Sequence, residues 1–249
     1  MRIVEPRYMI EFISPHQDIW RMAKGARACY QSEDKSDMDP STREDLDRKL
    51  IAKLINNGHW SPLEHSSVTV RFITDIGVAN ELTRHRLASF SQESTRYCNY
   101  SKGKFGSELT FVRPSQLHKD LTPEAWDIWT NAMTYAEEMY MAMLDKGYSP
   151  QIARAVLPKS LKTELIVTAN LREWYHILDL RTSRAAHPDI RYLTLPLLVE
   201  LGNPYCFPDI FGDLSKERTD EYIEDYRITP DRKVIPFEQP HPEVKEAKK

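Results

Sequence analysis

Three cysteines in 249 residues, at positions 29, 98 and 206, are too few and too scattered for a disulfide framework or a thiolate metal site. They read as reduced thiols of a cytoplasmic protein. Cys98 stands two residues after Arg96, where cations would lower a thiol pKa, but no base accompanies it, and burial accounts for it equally well. Only eight glycines are present, with no G-x-G-x-x-G and no G-x-x-x-x-G-K-[ST]. A dinucleotide-binding Rossmann loop and a P-loop are therefore excluded. Any phosphate has to be held by arginine side chains, hydroxyls and backbone N–H groups. No apolar run approaches the roughly 20 residues that span a bilayer, and the strand-like opening MRIVEPRYMIEF has no signal-peptide apolar core. The eight histidines show no H-E-x-x-H or Cys/His ligand spacing. His59 and His65 frame W-S-P-L-E too loosely to indicate zinc, so no metal is expected. The net charge of -3 provides no general field for a polyanion, so neither nucleic acid nor membrane is expected as a partner.

What remains, 41% hydrophobic and 29% charged, is an ordinary globular composition with enough chain for a sizeable core. Residues 1–13 read as an outer strand and 18–30 as a helix. The polar stretch 32–40 reads as a loop, and Ser41 with Glu44 as a capping box. The helix after it places Leu46, Leu50, Ile51, Leu54 and Ile55 on one face and ends at Gly58. Residues 66–74 read as a strand and 77–86 as a helix whose inner stripe runs from Val78 and Leu82 to His85 and Arg86. Thr122-Pro123 opens a helix to about Lys146, its Trp126, Trp129, Met133, Tyr140 and Met143 read as core packing. A short helix over 151–157, a buried strand over 162–170 and helices over 171–182 and 189–202 follow, with Pro196 expected to kink or limit the last. No repeat or linker is evident, so a single α+β domain is expected.

The stretch RHRLASFSQESTR, Arg84–Arg96, concentrates three arginines, a histidine and three serines in thirteen residues. Arginine meets phosphate and carboxylate with two parallel hydrogen bonds and stacks on flat rings. The pattern suits an anionic, ring-bearing ligand such as a nucleotide. A plainer explanation is a salt-bridge set at a helix end, with Glu81 holding both Arg84 and His85. Arg181 continues the inward face of Leu171, Trp174 and Leu178; a charge there needs a neutralising partner or has to snorkel to water.

Arg84-His85-Arg86, seven residues, then Ser94-Thr95-Arg96 resembles the RHR-x7-S-x-R signature of flavin-dependent thymidylate synthases. GHWSPLEH (58–65), ARAVLP (153–158), NLREWYHILDLR (170–181) and ARACY (26–30) are similar to further family segments in order and distance. The resemblance implies a catalytic domain over 1–203 with a mixed or antiparallel sheet flanked by helices; it does not account for 204–249, whose proline- and charge-rich sequence reads as a partly flexible C-terminal extension. It also implies a homotetramer with active sites where subunits meet. The implied reaction methylates dUMP to dTMP, with 5,10-methylenetetrahydrofolate as carbon donor and FAD passing hydride from NADPH.

By the same resemblance, Arg181 would polarise the uracil and favour ionisation at N3. Arg96 and Arg154 would grip the dUMP phosphate with help from Ser94 and Thr95, and Glu81, Arg84, Gln92 and Glu93 would complete that site. Ser67, Arg84, His85, Arg86, Gln92, Asn170, Leu171, Arg172 and His176 would contact FAD. His65 and Tyr97 would lie near the folate and the flavin ring. Glu81 stands where the family usually carries Gln, and a carboxylate there repels phosphate unless Arg84 or His85 offsets it. Glu93 and His187 are also departures. Two other readings use the same residues: a phosphate-binding or RNA-binding regulator without flavin, and a flavoprotein that has lost methyl transfer.

Overall fold

The computed structural model describes residues 1–32, 39–97, 100, 108–114 and 122–226, with side chains to residue 220. The loop assigned to 32–40 falls mostly outside these residues, as do Cys98 and the end of the extension. Helix and sheet form one mixed α and β domain, as the order of elements and the lack of a repeat or linker lead one to expect.

Strict alternation builds the central sheet. β3 (Ser67–Asp75) and β6 (Lys162–Asn170) pair antiparallel over their whole lengths, from Ser67 opposite Asn170 to Asp75 opposite Lys162. Val68, Val70, Phe72, Leu165, Val167 and Ala169 face the core, while the alternate residues stay half-exposed. β2 (Arg7–Phe12) adds antiparallel to β3, and β4 (Ser89–Gln92) to β6, giving the order β2-β3-β6-β4. The single strand expected over 1–13 is two. Pro6, without an N–H for a ladder, separates β2 from β1 (Arg2–Val4). β1 pairs in parallel with β5 (Thr110–Val112) in a separate two-stranded sheet.

Helices cover the core face. α1 (Pro15–Tyr30) begins three residues earlier than expected because Pro15 takes its first turn. α2 (Pro40–Asn56) is capped by Asp39, which accepts from Thr42 N at 3.2 Å; Ser41 is inside the helix and donates to Asp39. The expected capping box is thus displaced by an Asp-Pro start, and Glu44 instead meets His16 and Arg48. A buried Asp47 pairs with Arg27 and ties α2 to α1. α3 (Ile76–Leu82), capped by Asp75, is only seven residues long. The expected helix ran to Arg86, so His85 and Arg86 lie in the turns beyond it.

α4 (Pro123–Asp145) starts at the Thr122 cap as read. It buries Met133 and Tyr140 but exposes Ile128 and Tyr135, so its apolar face is only partly core. α5 (Pro150–Ala153) passes at once into a 3-10 turn, Arg154–Val156, where one short helix was expected. α6 (Leu171–Thr182) is anchored by the buried Trp174, whose indole donates to Val68 O at 2.9 Å. α7 (Pro188–Leu201) continues through Pro196.

α8 (Pro208–Tyr226) begins inside the segment assigned to the extension. Phe207, Ile210, Phe211 and Leu214 are buried in the same cluster as Leu198, Leu201 and the sheet residues, so the core runs past 203. Phe211→Ala is therefore expected to destabilise the protein as much as Phe72→Ala, each by about 3–5 kcal/mol. Urea denaturation checks this: a Phe211 loss below about 1 kcal/mol would detach 204–226 from the folding unit.

Candidate functional site

Arg181 sits in the last turn of α6 with its side chain one-fifth exposed. Nε donates to His85 Nε2, Nη1 to Glu81 Oε2 and Nη2 to the Glu81 carbonyl, each at 2.9 Å. The short α3 makes this possible. It stops at Leu82, so the Glu81 carbonyl accepts only a long turn bond from Arg84 N (3.4 Å) in place of an i+4 helical bond, and it can also face Arg181. The turn that follows, with His85 N on Leu82 O, carries the imidazole inward until the residue is 5% exposed. In the plainer salt-bridge explanation Glu81 holds Arg84 and His85. With the helix ended, that i+3 and i+4 geometry does not exist, and the carboxylate pairs with Arg181. Of the five guanidinium N–H groups, three have these partners; the other two have none among the described residues.

Behind this group lies Glu173, 6% exposed, with Oε1 3.7 Å from His85 Nδ1. Burial raises the Glu173 carboxyl above its usual range. Burial, then Arg181 and His176, lowers His85 to about 4. The 3.7 Å contact is an ion pair only if the ring is charged. The Arg181 Nε–H points at Nε2, which must then be an acceptor, so the ring is neutral with its proton on Nδ1 toward Glu173. His176 meets His85 edge-on at 5.6 Å between ring centres.

A second group joins the other arm of the signature to α5. Arg154 Nη1 donates to Thr95 Oγ1 at 3.1 Å, and Arg96 Nε donates to Gln151 Oε1 at 3.0 Å. Arg96 also lies over the Tyr97 ring, 5.5 Å from its centre. Glu93 faces inward to Lys162 (2.7 Å) and Tyr100 (3.0 Å), which explains an acid in this stretch. Ser94 Oγ accepts from Arg96 N, and Gln92 donates to Thr163. β4 separates the two groups. It pairs Ser89 with Thr168 and Gln92 with Leu165, so the turn before it lies toward Asn170 and the turn after it toward Lys162. At about 3.3 Å per strand residue, these turns are roughly 15 Å apart on one chain.

The third feature is a pair of clefts that share Trp60 and Arg172, about 310 and 300 Å³ in volume. Tyr30, Cys29 and His59 line one; Tyr175, His176 and Asp179 line the other. The Trp60 and Tyr175 rings lie 4.7 Å apart, and Arg172 pairs with Glu64 at 2.6 Å. Asn170 spends its side chain capping α6, and Ser67 lies opposite it. The structure thus offers flat rings beside a cation.

The remaining expected residues divide. Arg84 and Arg86 are exposed, and their side chains meet no described partner. His65 is exposed and lies against α1, where a Cβ on Gly25 would sit 2.8 Å from its ring. Leu171 is wholly buried, with its N–H on Ser66 O, so the structure leaves its side chain and N–H no ligand to contact. Sequence reasoning missed Trp60, Tyr175 and Glu173. The position of Glu173 four residues before the apolar Ile177, on the same helical face, was the one available signal for the last. Among the described residues no helix is long and apolar enough to cross a membrane. Nor is there among them a group of three or more His, Cys, Asp or Glu that could hold a metal ion.

Residues 13–203 match the family described as thymidylate synthase complementing protein. A flavin-dependent thymidylate synthase of Mycolicibacterium vanbaalenii is 34% identical over 204 residues, which cover 75% of this chain and 76% of the relative. That of Pyrococcus furiosus is 34% identical over 154 residues, 61% and 62% of the two chains. In fold, the chain is similar to a UMP/dUMP methylase from Streptomyces cacaoi solved with 5-bromo-UMP. The TM-score is 0.66 at 23% identity, over 87% of this chain and 96% of the other.

A buried imidazole lowered to about 4 from 6.5 contributes stability that is complete above pH 6.5 and is lost as pH falls toward 4. The His85→Gln variant should lack this component. Its stability is expected to fall less between pH 6.5 and 4 than that of the unsubstituted protein, by on the order of 3 kcal/mol. Urea melts across that range check it, and parallel curves would refute the assignment.

Proposed function

Because the chain belongs to the family of flavin-dependent thymidylate synthases, we propose that it methylates dUMP to dTMP, with 5,10-methylenetetrahydrofolate as the carbon donor and FAD carrying hydride from NADPH. The observation that supports this most is the Arg181 guanidinium, fixed by three acceptors and retaining two N–H groups at a partly exposed position. A preset cationic donor stabilises negative charge developing on a pyrimidine ring at little reorganisation cost. In this reading Arg181 polarises the uracil carbonyl and favours loss of the N3 proton. The Glu81 carboxylate is offset by Arg181, so its repulsion of a phosphate is weaker than an unpaired acid would exert.

Arg96 and Arg154, with Thr95, take the phosphate; their hydrogen bonds to Gln151 and Thr95 hold both side chains for it. Bound flavin would supply hydride transfer. The residues present fit such a group: Trp60 and Tyr175 offer ring faces, and Arg172 and His176 offer polar contacts. Ser67, Asn170, Arg84 and Arg86 belong to the same assignment. The roughly 15 Å between the two arms of the signature favours a site completed by a neighbouring copy, in a homotetramer.

Purified protein is expected to be yellow, to elute as a four-chain particle, and to oxidise NADPH faster with dUMP present. Arg181→Ala should retain flavin and lose dTMP formation by about 100-fold or more. Arg154→Ala should mainly raise the KM for dUMP, by about tenfold or more. Colourless protein that cannot be loaded with flavin, or full turnover by the Arg181 variant, would refute the proposal.

A further inference from the structure

His85 belongs to the arginine-rich signature, yet the chain buries it and turns its Nε2 toward Arg181. Glu173 and Arg181 lie eight residues apart on α6, about 12 Å along its axis. Helical side chains lean toward the N-terminus, so the long Arg181 stem reaches back while the His85 ring fills the space between. One ring nitrogen accepts from Arg181, and the other faces the buried carboxyl at 3.7 Å. A histidine can accept on Nε2 only as the neutral tautomer protonated on Nδ1, and a carboxyl acceptor on that side selects this tautomer. Glu81 closes the opposite edge of the guanidinium with both a side-chain and a main-chain oxygen.

We infer that the buried His85–Glu173 pair is a positioning relay that aims the Arg181 guanidinium at the nucleotide base, so that the His85 side chain serves the pyrimidine from behind and is not a flavin contact. This rests on the reading above that Arg181 faces the base. His85 and Glu173 are positioning residues: neither touches substrate. A mispointed guanidinium lowers kcat because its value lies in the charged form of the base, and displacements of about 1 Å cost about 100-fold. Flavin occupancy is expected to stay unchanged, since the rings and cation assigned to it lie around Trp60 and Arg172 and His85 borders that group only edge-on at His176.

The test uses the flavin-loaded enzyme. His85→Met keeps side-chain bulk without a strong acceptor, whereas His85→Gln retains a carbonyl oxygen as acceptor. The Met variant is expected to lose about 100-fold in kcat with unchanged flavin occupancy, and the Gln variant to recover at least about tenfold of that loss. Equal losses in both variants would overturn the relay, because simple packing would then explain the residue. Loss of flavin with dUMP affinity intact would also overturn it and make His85 a flavin contact. Nitrogen NMR of the histidine rings in the unsubstituted protein decides the matter independently of turnover. At neutral pH the His85 ring should be neutral and protonated on Nδ1, and this preference should weaken in Glu173→Met. Protonation on Nε2 would sink the relay even in an active enzyme. The expected tautomer in a protein inactive on dUMP would sink the functional reading, and with it the aim at a base, while the hold of His85 and Glu173 on Arg181 would stand.

Discussion

A guanidinium cannot sit at the partly buried end of a helix without acceptors around it, and the arrangement at the centre of this molecule follows from that requirement. Arg181 takes a ring nitrogen from one turn, a carboxylate from α3 and a main-chain oxygen exposed by the early end of that helix. Each acceptor in turn needs its own support. The imidazole must stay neutral, which its burial and its cationic neighbour both enforce. The carbonyl can face Arg181 because α3 is short, which leaves it only a 3.4 Å turn bond from Arg84 N. Catalytic chemistry of the kind proposed gains from this: a donor held by three bonds has little left to rearrange when charge appears in front of it.

The scaffold around the group is correspondingly rigid. β3 and β6 pair over nine residues each and present apolar side chains to one face, with α6 pinned to β3 through the Trp174 indole. α6 starts directly after β6 and carries Asn170, Arg172, Glu173, His176 and Arg181 within three turns and their cap. One strand-to-helix unit thus supplies polar groups to both the Trp60 clefts and the Arg181 group, and His176 touches both.

Much of this was legible in the residues. The alternation of 66–74 and 162–170, the helical face of Leu171, Trp174 and Leu178, and the inward placement of Arg181 all follow from side-chain periodicity, which local sequence carries. The failures share a cause. Pro6 splitting the first strand, Asp39 displacing the capping box, and α3 ending at Leu82 are decided by one or two residues at an element's edge, where competing local bonds differ by little. β4 was missed because SFSQ has a single large apolar residue; it is a strand only because β6 offers it an edge. The boundary at 203 was drawn on charge and proline content, but Phe207 and Phe211 outweigh their polar neighbours once α7 presents a surface to cover. The acceptors of Arg181 were named as neighbours of one another in sequence, whereas their pairing across a hundred residues depends on the fold.

β4 gives the seven-residue gap inside the signature a mechanical meaning. With Phe90 facing the core and Ser89 and Ser91 turned the other way, the middle of the gap, Ser89–Gln92, is a rod of fixed length clamped to β6. Adding one residue would invert every side chain beyond the insertion, and adding two would shift one arginine arm by about 7 Å against the other. The interval between the two halves of such a motif is therefore constrained as a distance and a parity, whatever amino acids occupy it.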